Sequence, residues 1–310
     1  MRVMPMKMRI AVAAVGVAMI AALVPADVLA QDPPPPPAGA QGGRAGAPGG
    51  RGGGRGGGRG GAPAAPAGPI RRMPDGKPDL SGFWNSAPGG ANYGLSRRTG
   101  GGGMPGTQGV VVDPPDGLLP MQEWAKAEQK NRELPERGYD DPTAHCFVAG
   151  VPRSMWVPAP FHILQPPGYV VFLHERMSYR VIPLDNRPFL PDNIRLWMGD
   201  SRARWEGDTL VVDTRNLNGK TWLNEVGEVI SHAETVVERY TPVDANTITY
   251  EATITDPIVY TRPFTVRFSV RRQPDELLEI ACHEDNQDLI HLKEIKEEAI
   301  KSGKLKAPGK

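Results

Sequence analysis

The sequence predicts an all-β protein, an antiparallel up-and-down β-barrel, with a β-sandwich as the alternative. Three observations carry this reading. Beyond Met155 the chain breaks into short β-rich segments at 161–165, 169–175, 177–184, 201–206, 209–214, 232–241, 247–255, 264–271 and 277–283. Turn signals separate them: Pro166-Pro167-Gly168, Asp185-Asn186, Gly207-Asp208, Asp244-Ala245-Asn246 and Pro274-Asp275. Regular spacing with short turns indicates antiparallel pairing, not βαβ units. The segments also alternate. Phe264, Val266, Phe268 and Val270 point one way and Thr265, Arg267, Ser269 and Arg271 the other, as in a half-buried strand. Nine or ten such strands exceed what an open twisted sheet usually holds, so closure is expected.

From the N-terminus, residues 1–30 read as a secretory signal. Arg2, Lys7 and Arg9 precede an apolar run at 10–24, and Ala30 precedes the expected cut. The run falls short of the roughly 18–20 residues that span a bilayer, so no transmembrane span is expected after cleavage. A retained anchor is the alternative. Residues 31–72 form a Pro/Gly/Arg-rich linker, with prolines at 33–37 and Arg51, Arg55 and Arg59 in a GGGR run. It lacks apolar side chains to bury and is expected to stay disordered, as a basic tether able to touch anionic envelope polymers. RGG-type tracts also bind RNA, but export disfavours that use.

The folded domain is expected over 73–302, with a tail at 303–310. It opens with a strand at 79–85 and a Gly-rich loop at 87–109. A helix at 121–134 follows, packed through Trp124, and then an irregular loop at 140–153 around Cys146. A terminal helix at 288–301 places Leu289, Leu292, Ile295 and Ile300 near one stripe, to lie over a barrel mouth or edge.

The net charge of +1 hides an asymmetry. Residues 1–72 carry +7 and residues 293–310 carry +3, which leaves −9 on the stretch between. An acidic body argues against a nucleic-acid partner. Cys146 and Cys282 are the only cysteines, and in an exported protein they are most simply one disulfide. Unpaired buried thiols, or a Cys146 nucleophile beside His145, are the alternatives.

Chemistry is expected on the segment 232–241, where His232, Glu234, Val236, Glu238 and Tyr240 share one face. Turned inward, His232 with Glu234 or Glu238 forms an acid–base set or grips a polar ligand; turned outward, the charges are ordinary surface. Arg180 is expected in a buried ion pair with Asp200 or Glu175. Arg180, Trp205, Trp222, His232, Glu234 and Tyr240 are the candidate ligand contacts. The histidines at 145, 162, 174, 232, 283 and 291 show no HxH or HExxH spacing, so no metal is assigned, although a site built from distant strands stays open. Ser201 and Ser231 lack a GxSxG context, and no cofactor is implied.

The runs DGKPDLSGFW (75–84), DDPTAHCFVAGVPRSM (140–155), MGDSRARWEGDTLVVDT (198–214) and TWLNEVGEVISHAETVVERY (221–240) resemble those of a family of exported bacterial β-rich proteins of unknown function. The likeness spans 73–286 and implies no activity. Gly82-Phe83-Trp84 is also similar to the GxW of lipocalins, which implies a lipocalin-like barrel. The leading functional expectation is a periplasmic or secreted protein binding a small, partly apolar ligand in a barrel cavity. The alternatives are a cofactor-free lyase, hydratase or isomerase using His232, and a non-catalytic envelope-associated structural protein.

Overall fold

Alternation along the chain becomes a wall of strands with one filled side. The computed structural model describes residues 68–86, 90–100 and 105–306, all within the compact unit Gly61–Lys310. The expected signal peptide, the linker up to residue 67 and the last four tail residues lie outside the described residues.

The strands are β1 (Gly82–Ser86), β2 (Val111–Asp113), β3 (Phe161–Leu164), β4 (Tyr169–His174), β5 (Ser178–Pro183), β6 (Asp200–Glu206), β7 (Thr209–Arg215), β8 (Thr235–Asp244), β9 (Thr247–Thr255) and β10 (Phe264–Arg272). They form one nearly closed, barrel-like antiparallel sheet in the order β5-β4-β3-β1-β10-β9-β8-β7-β6, with β2 pairing beside β1 on β10. The Gly207-Asp208 turn joins β6 to β7 as a two-residue hairpin, Glu206 opposite Thr209. Inward residues fill the interior. Ile248, Tyr250, Ala252 and Ile254 of β9 and Phe264, Val266 and Val270 of β10 are all fully buried. Trp84 of β1 is buried too, with its Nε1 donating to the Leu80 carbonyl at 2.8 Å and Arg272 over its ring.

The pairing order fixes a consequence at the ends of the sheet. Every pair is antiparallel, so β1 to β5 through β3 and β4 reverses direction three times. From β1 to β6 through β10, β9, β8 and β7 it reverses five times. Both counts are odd, so β5 and β6 run in the same direction. Parallel neighbours need a connection that returns the length of a strand, a dozen residues or more; residues 184–199 supply it. Among the described residues no backbone ladder joins β5 to β6. This seam is where the wall stays open.

Several expectations are corrected. The segment 277–283 forms no strand: the wall is already complete at β10, and Glu175 captures the Leu278 N–H instead. The short β2, in a stretch to which the sequence assigned no element, pairs with β10 where β1 has ended. The first helix, α1 (Glu123–Arg132), packs through fully buried Ala125, while Trp124 is half exposed. The second, α2 (Gln287–Lys301), does not cover the barrel mouth. It lies on the turns at 135–145, where Leu292 meets Gly138 and Lys296 and Lys304 reach Asp140 and Glu136. Ile295 of its expected stripe is exposed. Among the described residues, no helix is long and apolar enough to cross a membrane.

Cys146 and Cys282 are joined, tying the foot of α2 to those turns. Arg153 braces the same region with a buried bidentate pair to Asp141 at 2.7 and 2.9 Å. Closing a loop across a sequence separation of 136 stabilises by about 5 kcal/mol at most in the chain-entropy picture. Replacing both cysteines by serine should therefore lower the urea midpoint by up to that equivalent while the β-sheet circular dichroism is retained. Equilibrium unfolding of the two proteins side by side checks it.

Candidate functional site

At the open seam the sheet is held by one side chain. Arg180 sits in the middle of β5, and strand alternation turns it inward between Ser178 and Ile182. Its Nη2 donates to Glu238 Oε2 of β8 at 2.5 Å, to Ser201 Oγ of β6 at 3.1 Å and to Thr214 Oγ1 of β7 at 3.0 Å. Its Nη1 donates to Glu238 Oε1 at 3.1 Å. The hydroxyls of Tyr240 and Tyr250 donate to the same Oε1 at 2.8 and 3.0 Å. One guanidinium thus bridges four strands across the break, and its counter-ion is solvated by two phenols in place of water. Burial and then the Glu238 charge push both tyrosines well above their ordinary range, which keeps them as neutral donors.

A groove of about 440 Å³ runs along this seam. Its floor carries Arg180 and Ser201, and its flanks carry Tyr179, Val181, Leu196 and Met198. Its volume falls in the range of small-molecule sites, and its lining mixes these apolar side chains with Arg180, Asp200 and Ser201. Among the described residues, buried side chains of β4, β8, β9 and β10 fill the barrel interior. Beside His174 there is a small recess of about 10 Å³, room for about one water. His174 is held neutral there, pushed down to about 3 by burial and by Arg180.

The expected ligand contacts do not share one place. Arg180 and Tyr240 meet through Glu238. Arg180 takes neither expected partner: Asp200 pairs with Arg202, and Glu175 accepts from Leu278 N. Trp205 lines the inner face of β6, packed against the core. Trp222 is buried in the loop before β8, under Arg132 of α1. His232 is exposed, ahead of a strand that begins only at Thr235. Asp256 explains the late start. It takes the Ser231 N–H at 2.6 Å and hydroxyl at 2.8 Å, which pulls the chain out of the ladder before His232. His232 therefore forms no acid–base set with Glu234 or Glu238.

Glu234 does turn inward, but lies about 13 Å along the strand from Glu238, at ~3.3 Å per residue. It is buried, and neither carboxyl oxygen has a partner. Burial, and then Asp256, push it well above the carboxylate range, so it is held as the neutral acid. Glu228 is a second such group, pushed up to about 7 by burial against the Leu95 N–H and the Asn224 amide that hydrogen-bond it. Sequence reasoning missed Glu238, Ser201 and Thr214 as partners of Arg180, and Tyr250 as a donor to Glu238. The available signal was an inward Arg and an inward Glu on strands of one wall, which have to meet.

Among the described residues no three His, Cys, Asp or Glu side chains gather to hold a metal ion. Comparison with protein-family models, with characterised proteins and with solved structures returns no match. The fold and the site define a β-barrel with a filled interior and a groove through its wall.

Two predictions follow from these buried charges. Arg180→Met strands Glu238 in the interior and should cost about 3–5 kcal/mol in urea unfolding, whereas Arg180→Met with Glu238→Leu should recover most of that loss. Glu228 binds its proton more tightly folded than unfolded, so its stabilisation is complete below about pH 4.5 and lost as pH rises through about 7. Glu228→Gln should flatten the stability change between those values, read by thermal midpoints across pH.

Proposed function

We propose that the protein is exported and binds a small, partly apolar ligand in the groove between β5 and β6. The barrel interior, filled by side chains, is not the site. The observation that carries this reading is the groove itself, 440 Å³ of mostly apolar lining above a buried guanidinium at the one break in the wall. An apolar molecule carrying a hydrogen-bonding head group fits that lining, with its body against Leu196, Met198 and Val181. Binding would add contacts between two strands that lack a backbone ladder, so a ligand should stabilise the fold as well as occupy it. Support for export comes from the charged start, the apolar run at 10–24 and the paired cysteines, which suit an oxidising compartment. The filled interior favours a second reading, a non-catalytic structural protein of the envelope tethered by the basic linker.

Native mass spectrometry of the protein purified from its own cell envelope separates these. The expected spectrum shows a chain starting at Gln31 that carries a small-molecule adduct, and Leu196→Glu loses the adduct while keeping its fold. A bare chain in both proteins favours the structural reading, and a chain still starting at Met1 contradicts cleavage and export.

A further inference from the structure

Two buried polar atoms near the seam have no partner within the chain, and their side chains line one space. Pairing sets His174, the last residue of β4, opposite Ser178 of β5 on one side and Phe161 of β3 on the other. Its imidazole packs against the Phe161 and Phe172 rings, with centroids at 5.6 and 6.3 Å. Ser154 comes from elsewhere in the chain, in the short turn Arg153–Met155. Both side chains line the recess of about 10 Å³, and both are buried, His174 at 8% and Ser154 at 7% exposure. Neither His174 Nε2 nor Ser154 Oγ has a hydrogen-bond partner within the chain. Buried polar atoms in native proteins are nearly always hydrogen-bonded, so two orphans on one recess point to a group that enters it. The recess adjoins the groove: Ser178 lines both, and Ala149 of the recess follows Val148 of the groove.

We propose that the groove ligand is a neutral alcohol, which seats its hydroxyl in this recess against His174 Nε2 and Ser154 Oγ and lays its apolar body along the groove. The proposal rests on the groove reading above and names the chemistry of its ligand. Room for about one water-sized group admits a single terminal oxygen. His174 is neutral here, so Nε2 donates or accepts according to its tautomer, and the Ser154 hydroxyl does either. A ligand hydroxyl donates once and accepts twice, and so satisfies both residues in either case. Charged head groups suit the recess less. A carboxylate brings a second oxygen, and a charge that two neutral groups do not balance. An ammonium meets Arg176 on the lining and the nearby charge of Arg180. Arg176 itself is exposed and its charge is shared with Glu225, so it does not draw an anion inside.

Isothermal titration calorimetry of the mature chain tests it with four probes of equal carbon count: 1-octanol, octanoate, octylammonium and methyl heptyl ether. The variants are His174→Phe, which keeps a ring between the two phenylalanines, Ser154→Ala, which removes one atom, and Leu196→Glu in the groove. Circular dichroism with thermal midpoints verifies that each one folds. In the wild type 1-octanol should bind ~10-fold tighter than the other three, and His174→Phe and Ser154→Ala should each weaken 1-octanol alone by ~10-fold. Leu196→Glu should weaken all four. If 1-octanol binds both recess variants as well as the wild type while Leu196→Glu still weakens it, the alcohol proposal is overturned and the groove reading stands. Octanoate or octylammonium binding as tightly as the alcohol overturns it in the same way. A wild type that binds none of the probes overturns both.

Discussion

The bond between Arg180 and Glu238 sits where the topology leaves the sheet without a ladder. Nine strands joined only by antiparallel pairs cannot close without one parallel junction, and here it falls between β5 and β6. Side chains do there what backbone amides do elsewhere. A guanidinium suits the task because its donors fan out in a plane and reach several strands at once. Burying that charge is costly, and Glu238 with the Tyr240 and Tyr250 hydroxyls offsets the cost locally. This arrangement specifies which strands meet more than it adds net stability.

The same break shapes the surface. A continuous ladder would leave no space between β5 and β6, and the groove exists because side chains bridge a distance that backbone pairing would have closed. The connection at 184–199 contributes to its far side through Leu196 and Met198. The outer rows Phe83-His162-Leu173-Tyr179 and Leu164-Val171-Val181 begin at the seam and run back toward β1, while ion pairs and a threonine pair lie among the outward residues of β6 to β10.

Much of the wall was legible in the sequence because period-two alternation reports directly on which side chains face the core. Ile248, Tyr250 and Ile254 in β9 and the phenylalanines of β10 are examples. The shared face of Glu234, Val236, Glu238 and Tyr240 was legible for the same reason, although the sequence left open whether it turned inward. His232 was not. It continues the alternation in sequence, and only the remote Asp256, by capturing Ser231, ends the strand before it. The partner of Arg180 was illegible for a related reason. Which carboxylate an inward arginine meets depends on where the sheet closes, and Asp200 and Glu175 are nearer in sequence than Glu238. The parallel seam needs the full strand count, including β1 and the absence of a strand at 277–283, so an error of one strand changes its parity.

β5 and β6 are neighbours joined by side chains and, among the described residues, by no backbone ladder. Amide hydrogen exchange resolved by residue tests that most directly. Along β5, amides bonded to β4 should be protected and the alternate, seam-facing amides should exchange far faster, as should the seam-facing amides of β6. Uniform protection along both strands, with cross-strand contacts between their backbones, would show a closed ladder and contradict it.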